Sequence, residues 1–160
     1  MSKTRGKGLH KVCTGLLLTD ILLASEGRPF SRAAIARASA MAGKAGKINV
    51  LSIARVWGFS LGFPNPWLLP SKQEWAQQRE HVAKAIAELK TLGHDTSGVV
   101  IATRNPAKRI NAEAARLNCS CIVMGTDAPR HWLLADFYWS QEPYRVKKRA
   151  KHPVELVGSL

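Results

Sequence analysis

Long hydrophobic runs are scarce in this sequence. The longest candidate, Gly15–Ala24, is broken by Asp20 and is too short to cross a bilayer. A basic stretch precedes it, as in a signal peptide, but Ser25-Glu26-Gly27 is a poor cleavage context, so a buried strand is the better expectation. Cysteine is scarce too. With Cys13, Cys119 and Cys121 the count is odd, which suits a reduced cytoplasmic protein better than a disulfide framework. His10, His81, His94, His131 and His152 stand singly, so no cluster has the spacing of a zinc site and no metal is expected. Low-complexity tracts and repeats of solenoid period are absent, which excludes a fibrous or repeat architecture.

Acidic residues are also few: 11 Asp and Glu face 24 Lys and Arg, leaving a net charge of +13. Such an excess attracts anionic partners without saying which ones. Part of it is concentrated. Lys3, Arg5, Lys7 and Lys11 come before the first acid, Asp20, and Arg145, Lys147, Lys148, Arg149 and Lys151 crowd the last helix. Two readings compete, a basic solvated surface or a contact for nucleic acid or an anionic surface.

What is present is the material of a single domain. The 160 residues, 46% of them hydrophobic, can bury a core unaided. Residues 1–18 are expected to form a flexible basic arm and residues 19–160 one domain. Asp20–Ala24 has the length and flanking turn chemistry of a strand buried on both faces. Ser31 can cap a helix over Arg32–Ala42, which Gly43 ends. Lys47–Val56 is apolar and β-branched enough for strand two, and the aromatic, proline-rich stretch Trp57–Pro70 after it is irregular. Ser71-Lys-Gln-Glu74 is a capping box that opens a helix running to Leu92. Ser97–Thr103 is strand three, Asn105-Pro106 starts a helix stopped by Asn118, and Cys119–Met124 is strand four with both cysteines on one face. A helix near Pro143–Ala150 leads to strand five, Val154–Val157.

This alternation predicts an α/β fold, a five-stranded parallel sheet with helices on both faces. In such sheets ligands bind beyond the carboxyl ends of the strands, where strand order reverses. The floor of a site would then be Ala24–Gly27, Ile53–Val56, Thr103–Asn105 and Met124–Asp127. No nucleophile with a base and no carboxylate pair stands at these ends, so binding is expected and not catalysis.

The segments Ile21–Gly27, Asn105-Pro-Ala107, Cys121–Thr126 and His152-Pro-Val154 fall in the order and spacing of universal stress proteins, which the chain resembles over about residues 20–158. The resemblance implies a Rossmann-like sheet, a cytoplasmic stress-response role, a homodimer formed along strand five and, in one branch, binding of ATP, AMP or another adenine nucleotide. That branch carries a loop G-x-x-G-x9-G-[S/T], whose backbone N–H groups cradle phosphates. Only the opening Gly125 is kept here: Ala128 and Pro129 follow, and Tyr138 and Trp139 stand where the closing glycine and hydroxyl belong. Aligned back from Pro153, the pair there is Ser140-Gln141. The family's Asp at the end of strand one is Glu26.

The resemblance therefore implies a crevice formed by Ala24, Glu26, Ile53, Met124, Gly125, Ala128, Ser140 and Gln141, with Ile53 and Met124 sandwiching an adenine and an altered phosphate side. The stretches 57–70 and 129–142 hold four of five tryptophans and three of four phenylalanines, and could stack bases, line a subunit interface or dock a partner protein.

Overall fold

A computed structural model describes residues 20–56, 69–126 and 142–158 of the chain. The expected basic arm, residues 57–68 and 129–141 of the two aromatic stretches, and the candidate site residues Ala128, Ser140 and Gln141 lie outside the described residues.

Among the described residues nine elements alternate: β1 (Asp20–Ser25), α1 (Arg32–Ala42), β2 (Lys47–Arg55), α2 (Lys72–Thr91), β3 (Asp95–Thr103), α3 (Pro106–Arg116), β4 (Cys121–Thr126), α4 (Glu142–Arg149) and β5 (Val154–Gly158). All strand pairs are parallel, in the order β3-β2-β1-β4-β5. The chain builds outward from β1 to β3, then restarts on the other side at β4. Strand order thus reverses between β1 and β4.

Strands covered on both sides need apolar residues at every position, and β1 supplies them: Ile21, Leu22 and Leu23 are all fully buried. Ile21 and Leu23 pack with Ile48 and Val50 under α1 and α2. Leu22 and Ala24 point the other way, joining Leu51, Ile53, Ile122 and Met124 under Ile110 of α3 and Val146 of α4. The helices start where their caps stand. Ser31 Oγ accepts from Ala34 N at 3.2 Å, Asn105 Oδ1 from Lys108 N at 3.1 Å, and Ser71 and Glu74 complete the reciprocal capping box. Helix α2 lies close on β3 because Gly98 has no side chain: a Cβ there would come within 2.5 Å of Val82 Cγ1.

One expectation about the cysteines fails. Strand four begins at Cys121, and Cys119 precedes it. After the left-handed Asn118 (φ 52°), Cys119 N closes on Ala114 O and Ser120 N on Asp20 O, so the alternation of a strand does not yet apply. As a result Cys119 packs under α3 and Cys121 under α1, on opposite faces of the sheet. Cys119 itself is a free, buried thiol.

Candidate functional site

The reversal between β1 and β4 brings the end of β1, the turn after it and the end of β4 together. Gly27 takes φ 108°, a left-handed conformation that glycine adopts without strain, and the chain swings back across the strand ends toward α1. Ser25 ties this turn twice, donating from Oγ to Arg28 O at 2.6 Å and accepting from Arg28 N at 3.0 Å. From the other side Gln78 of α2 donates Nε2 to Gly27 O at 2.8 Å, while its Oε1 accepts from Ser52 Oγ at 2.7 Å. The β1 turn is therefore anchored to β2 and α2.

Glu26 is 2% exposed. Burial pushes its carboxyl above the ordinary carboxylate value, and Arg28, then more distantly Arg55, oppose that rise. Arg28 forms an ion pair with Glu26 and also donates Nε to Oε1 at 3.0 Å. The acceptor seen in the sequence is present but already holds an arginine.

Gly125 lies beside the first turn of α1. A Cβ on it would sit 3.2 Å from Ser31 Oγ and 3.8 Å from Ala34 Cβ, and its φ is not in the left-handed region. Its lack of a side chain lets α1 approach β4. Together Ala24, Glu26, Arg28, Ser31 and Gly125 border a shallow depression of about 30 Å3, room for about one water molecule.

Ala24, Ile53 and Met124 do meet, on the α3 and α4 side of the sheet, but each is no more than 1% exposed. They form a sealed floor. Above the end of β2, Arg55 pairs with Glu142 Oε2 at 3.2 Å, and Arg145 reaches the same oxygen at 3.4 Å. Glu142 Oε1 accepts from Ala107 N at 3.2 Å, in the first turn of α3. A carboxylate here satisfies an orphan N–H and the positive end of the helix dipole, a place that suits any anion.

Arg28, Ser52, Gln78 and Glu142 are the parts that sequence reasoning missed, whereas Arg55 falls inside the expected floor segment Ile53–Val56. For Arg28 a signal existed, since a buried carboxylate two residues from an arginine invites pairing. For Glu142 and Gln78 none did, because the partners that place them are distant in sequence: Ala107, 35 residues from Glu142, and Ser52 and Gly27, 26 and 51 residues from Gln78. Among the described residues no group of three or more His, Cys, Asp or Glu has the disposition to hold a metal, and no helix is long and apolar enough to cross a membrane.

Comparison with known proteins agrees with this geometry. The profile of the Universal stress protein family matches residues 18–157. Among solved structures, a universal stress protein from Archaeoglobus fulgidus superposes with a TM-score of 0.67 at 16% identity, over 87% of this chain and 98% of that one. A protein of the same family from Burkholderia pseudomallei gives 0.66 at 19% identity, over 91% and 100%. An Archaeoglobus fulgidus universal stress protein in complex with dAMP gives 0.61 at 15% identity, over 89% and 99%. No curated protein matches the chain in sequence.

Proposed function

Because the chain belongs to the universal stress protein family, we propose that it is a stress-response protein of the cytoplasm that binds an adenine nucleotide without turning it over. The observation that carries this reading is the reversal of strand order between β1 and β4, with Glu26 and Gly125 at its two lips. A relative of the same fold is a complex with dAMP.

Ala24, Ile53, Met124 and Gly125 underlie the nucleoside in this proposal, and Glu26 offers it an acceptor. The phosphate side relies on Ser140, Gln141 and the basic α4, since Ala128 and Pro129 replace part of the glycine loop and proline has no N–H to give. Arg28, Arg55 and Arg145 add cations, but each already faces Glu26 or Glu142. A ligand phosphate must compete with those carboxylates. This favours a nucleotide with few phosphates, AMP above ATP, and weak affinity. A homodimer formed along the outer edge of β5 completes the proposal.

Calorimetric titration tests it. Heat of binding with AMP, reduced by Glu26→Gln, is the expected result, and no heat at millimolar AMP or ATP would overturn the reading.

A further inference from the structure

The positive charge of this protein is unevenly spread among its helices. Helix α2 interleaves Lys72, Arg79, Lys84 and Lys90 with Glu74, Glu80 and Glu88, so its net charge is 4 − 3 = +1. The opposite face of the sheet differs. There α3 and the residue before its cap expose Arg104, Lys108, Arg109 and Arg116. Beside them, α4 and its exit expose Arg145, Lys147, Lys148, Arg149 and Lys151. Only two acids belong to these segments, Glu113 and Glu142, both about 3% exposed. Glu113 is held by Arg109 and Arg116, each at 2.8 Å, and Glu142 by Arg55 and Arg145. Nine cations against two acids leave 9 − 2 = +7, and the acids are turned inward.

The two helices form one surface. Asn111 of α3 donates Nδ2 to Val146 O of α4 at 3.4 Å, Glu142 bonds the first turn of α3, and Val146 is buried beneath both. Tyr144, 60% exposed, stands near the start of α4, just before the five cations of that helix and its exit. Lys147 and Lys148 follow it by three and four residues, so all three share one side of α4. An exposed aromatic ring beside several cations offers a base-stacking platform next to phosphate contacts. Among the described residues of α3 and α4 it is the single large apolar side chain that is exposed, too little apolar surface for insertion into a bilayer.

We propose that the α3 and α4 face binds single-stranded nucleic acid, its phosphates held by Lys108, Lys147, Lys148 and neighbouring cations and a base stacked on Tyr144. Bases in a duplex are already stacked on one another, so a single strand fits this ring better. The site lies on the helix surface, separate from the proposed nucleotide crevice at the strand ends.

Fluorescence anisotropy of a labelled oligothymidylate with the full chain tests the idea. Binding at low salt is expected, stronger than to duplex of the same length. Tyr144→Ala should weaken it by about tenfold with the salt dependence unchanged, and Tyr144→Phe should keep it. Lys147→Ala with Lys148→Ala should lower the slope of log affinity against log salt by about 1.4, that is about 0.7 for each phosphate no longer neutralised. These residues are exposed, so circular dichroism of each variant should match the parent. Millimolar AMP should not displace the oligonucleotide, which separates this site from the crevice. No anisotropy change at low salt, an unaffected Tyr144→Ala variant, displacement by AMP, or tighter binding to phosphatidylserine vesicles would each overturn the proposal.

Discussion

Glu26 and Arg28 show how two residues can decide what a strand end is able to hold. A buried carboxylate is costly unless paired, and Arg28 supplies the pair. The folded state raises the Glu26 value above its ordinary 4.5, so it binds that proton more tightly than the unfolded chain does. The stability linked to this proton is fully present below the unfolded value and is lost as pH rises through the folded one. Removing Arg28 takes away the largest opposing influence and raises the folded value further. Arg28→Ala should therefore cost about 1 to 3 kcal/mol at pH 7 in urea denaturation, the cost of leaving a buried charge short of its partner. The deficit should narrow as pH falls toward 4.5, where Glu26 takes up its proton. A deficit equal at both pH values would show that lost packing, and not the charge, is responsible.

At the scale of elements, Gly125 and Ser31 set how closely α1 rests on β4. An alanine at 125 places its Cβ 3.2 Å from Ser31 Oγ, the same oxygen that caps the helix through Ala34 N. Either the cap shifts or the strand does. Gly125→Ala should destabilise by about 1 kcal/mol through this overpacking, and Ser31→Ala by about 1 kcal/mol through loss of the cap. The double variant should cost less than the sum, by about 0.5 kcal/mol or more, since removing the hydroxyl frees the space that the new methyl needs. Simple additivity in a double-mutant cycle would mean that the two positions do not share this contact. The glycine that looks like the remnant of a phosphate loop thus has a packing reason of its own, and stability measurements can separate the two roles.

For the whole molecule, charge and edges govern association. Strand β5 pairs only with β4 among the described strands, which leaves its outer edge as the proposed dimer contact. Each subunit carries a net charge of +13, so two subunits repel one another at low ionic strength. Sedimentation velocity should show a dimer whose dissociation constant falls as salt is raised from low to physiological levels, because the repulsion is screened. A monomer at all protein concentrations would overturn the dimer, and an affinity that weakens with salt would point to an ion-paired interface instead. Binding of an oligonucleotide by α3 and α4 has the opposite salt dependence, so the two kinds of association can be told apart in one titration series.

The order and type of the elements were legible in the chain because their signals are local. Ser31, the Ser71 and Glu74 capping box, Asn105-Pro106 and the left-handed Asn118 each act within four residues, and the helices start and stop where these residues stand. The apolar runs of β1 and β2 likewise announced strands covered on both faces. The reversal of strand order was legible too, since alternation alone implies a parallel sheet with such a point. What that point holds was not. Whether Ile53 and Met124 lie open or sealed, whether Glu26 is free or holds Arg28, and which helix Glu142 caps depend on contacts between residues distant in sequence. The cysteines mark the boundary most clearly: spacing put them on one face, and a turn closed by Asn118 and Ala114 put them on two. Local chemistry determines where the backbone bends and extends, but only the packed sheet decides which side chains meet, because that depends on the three-dimensional path between them.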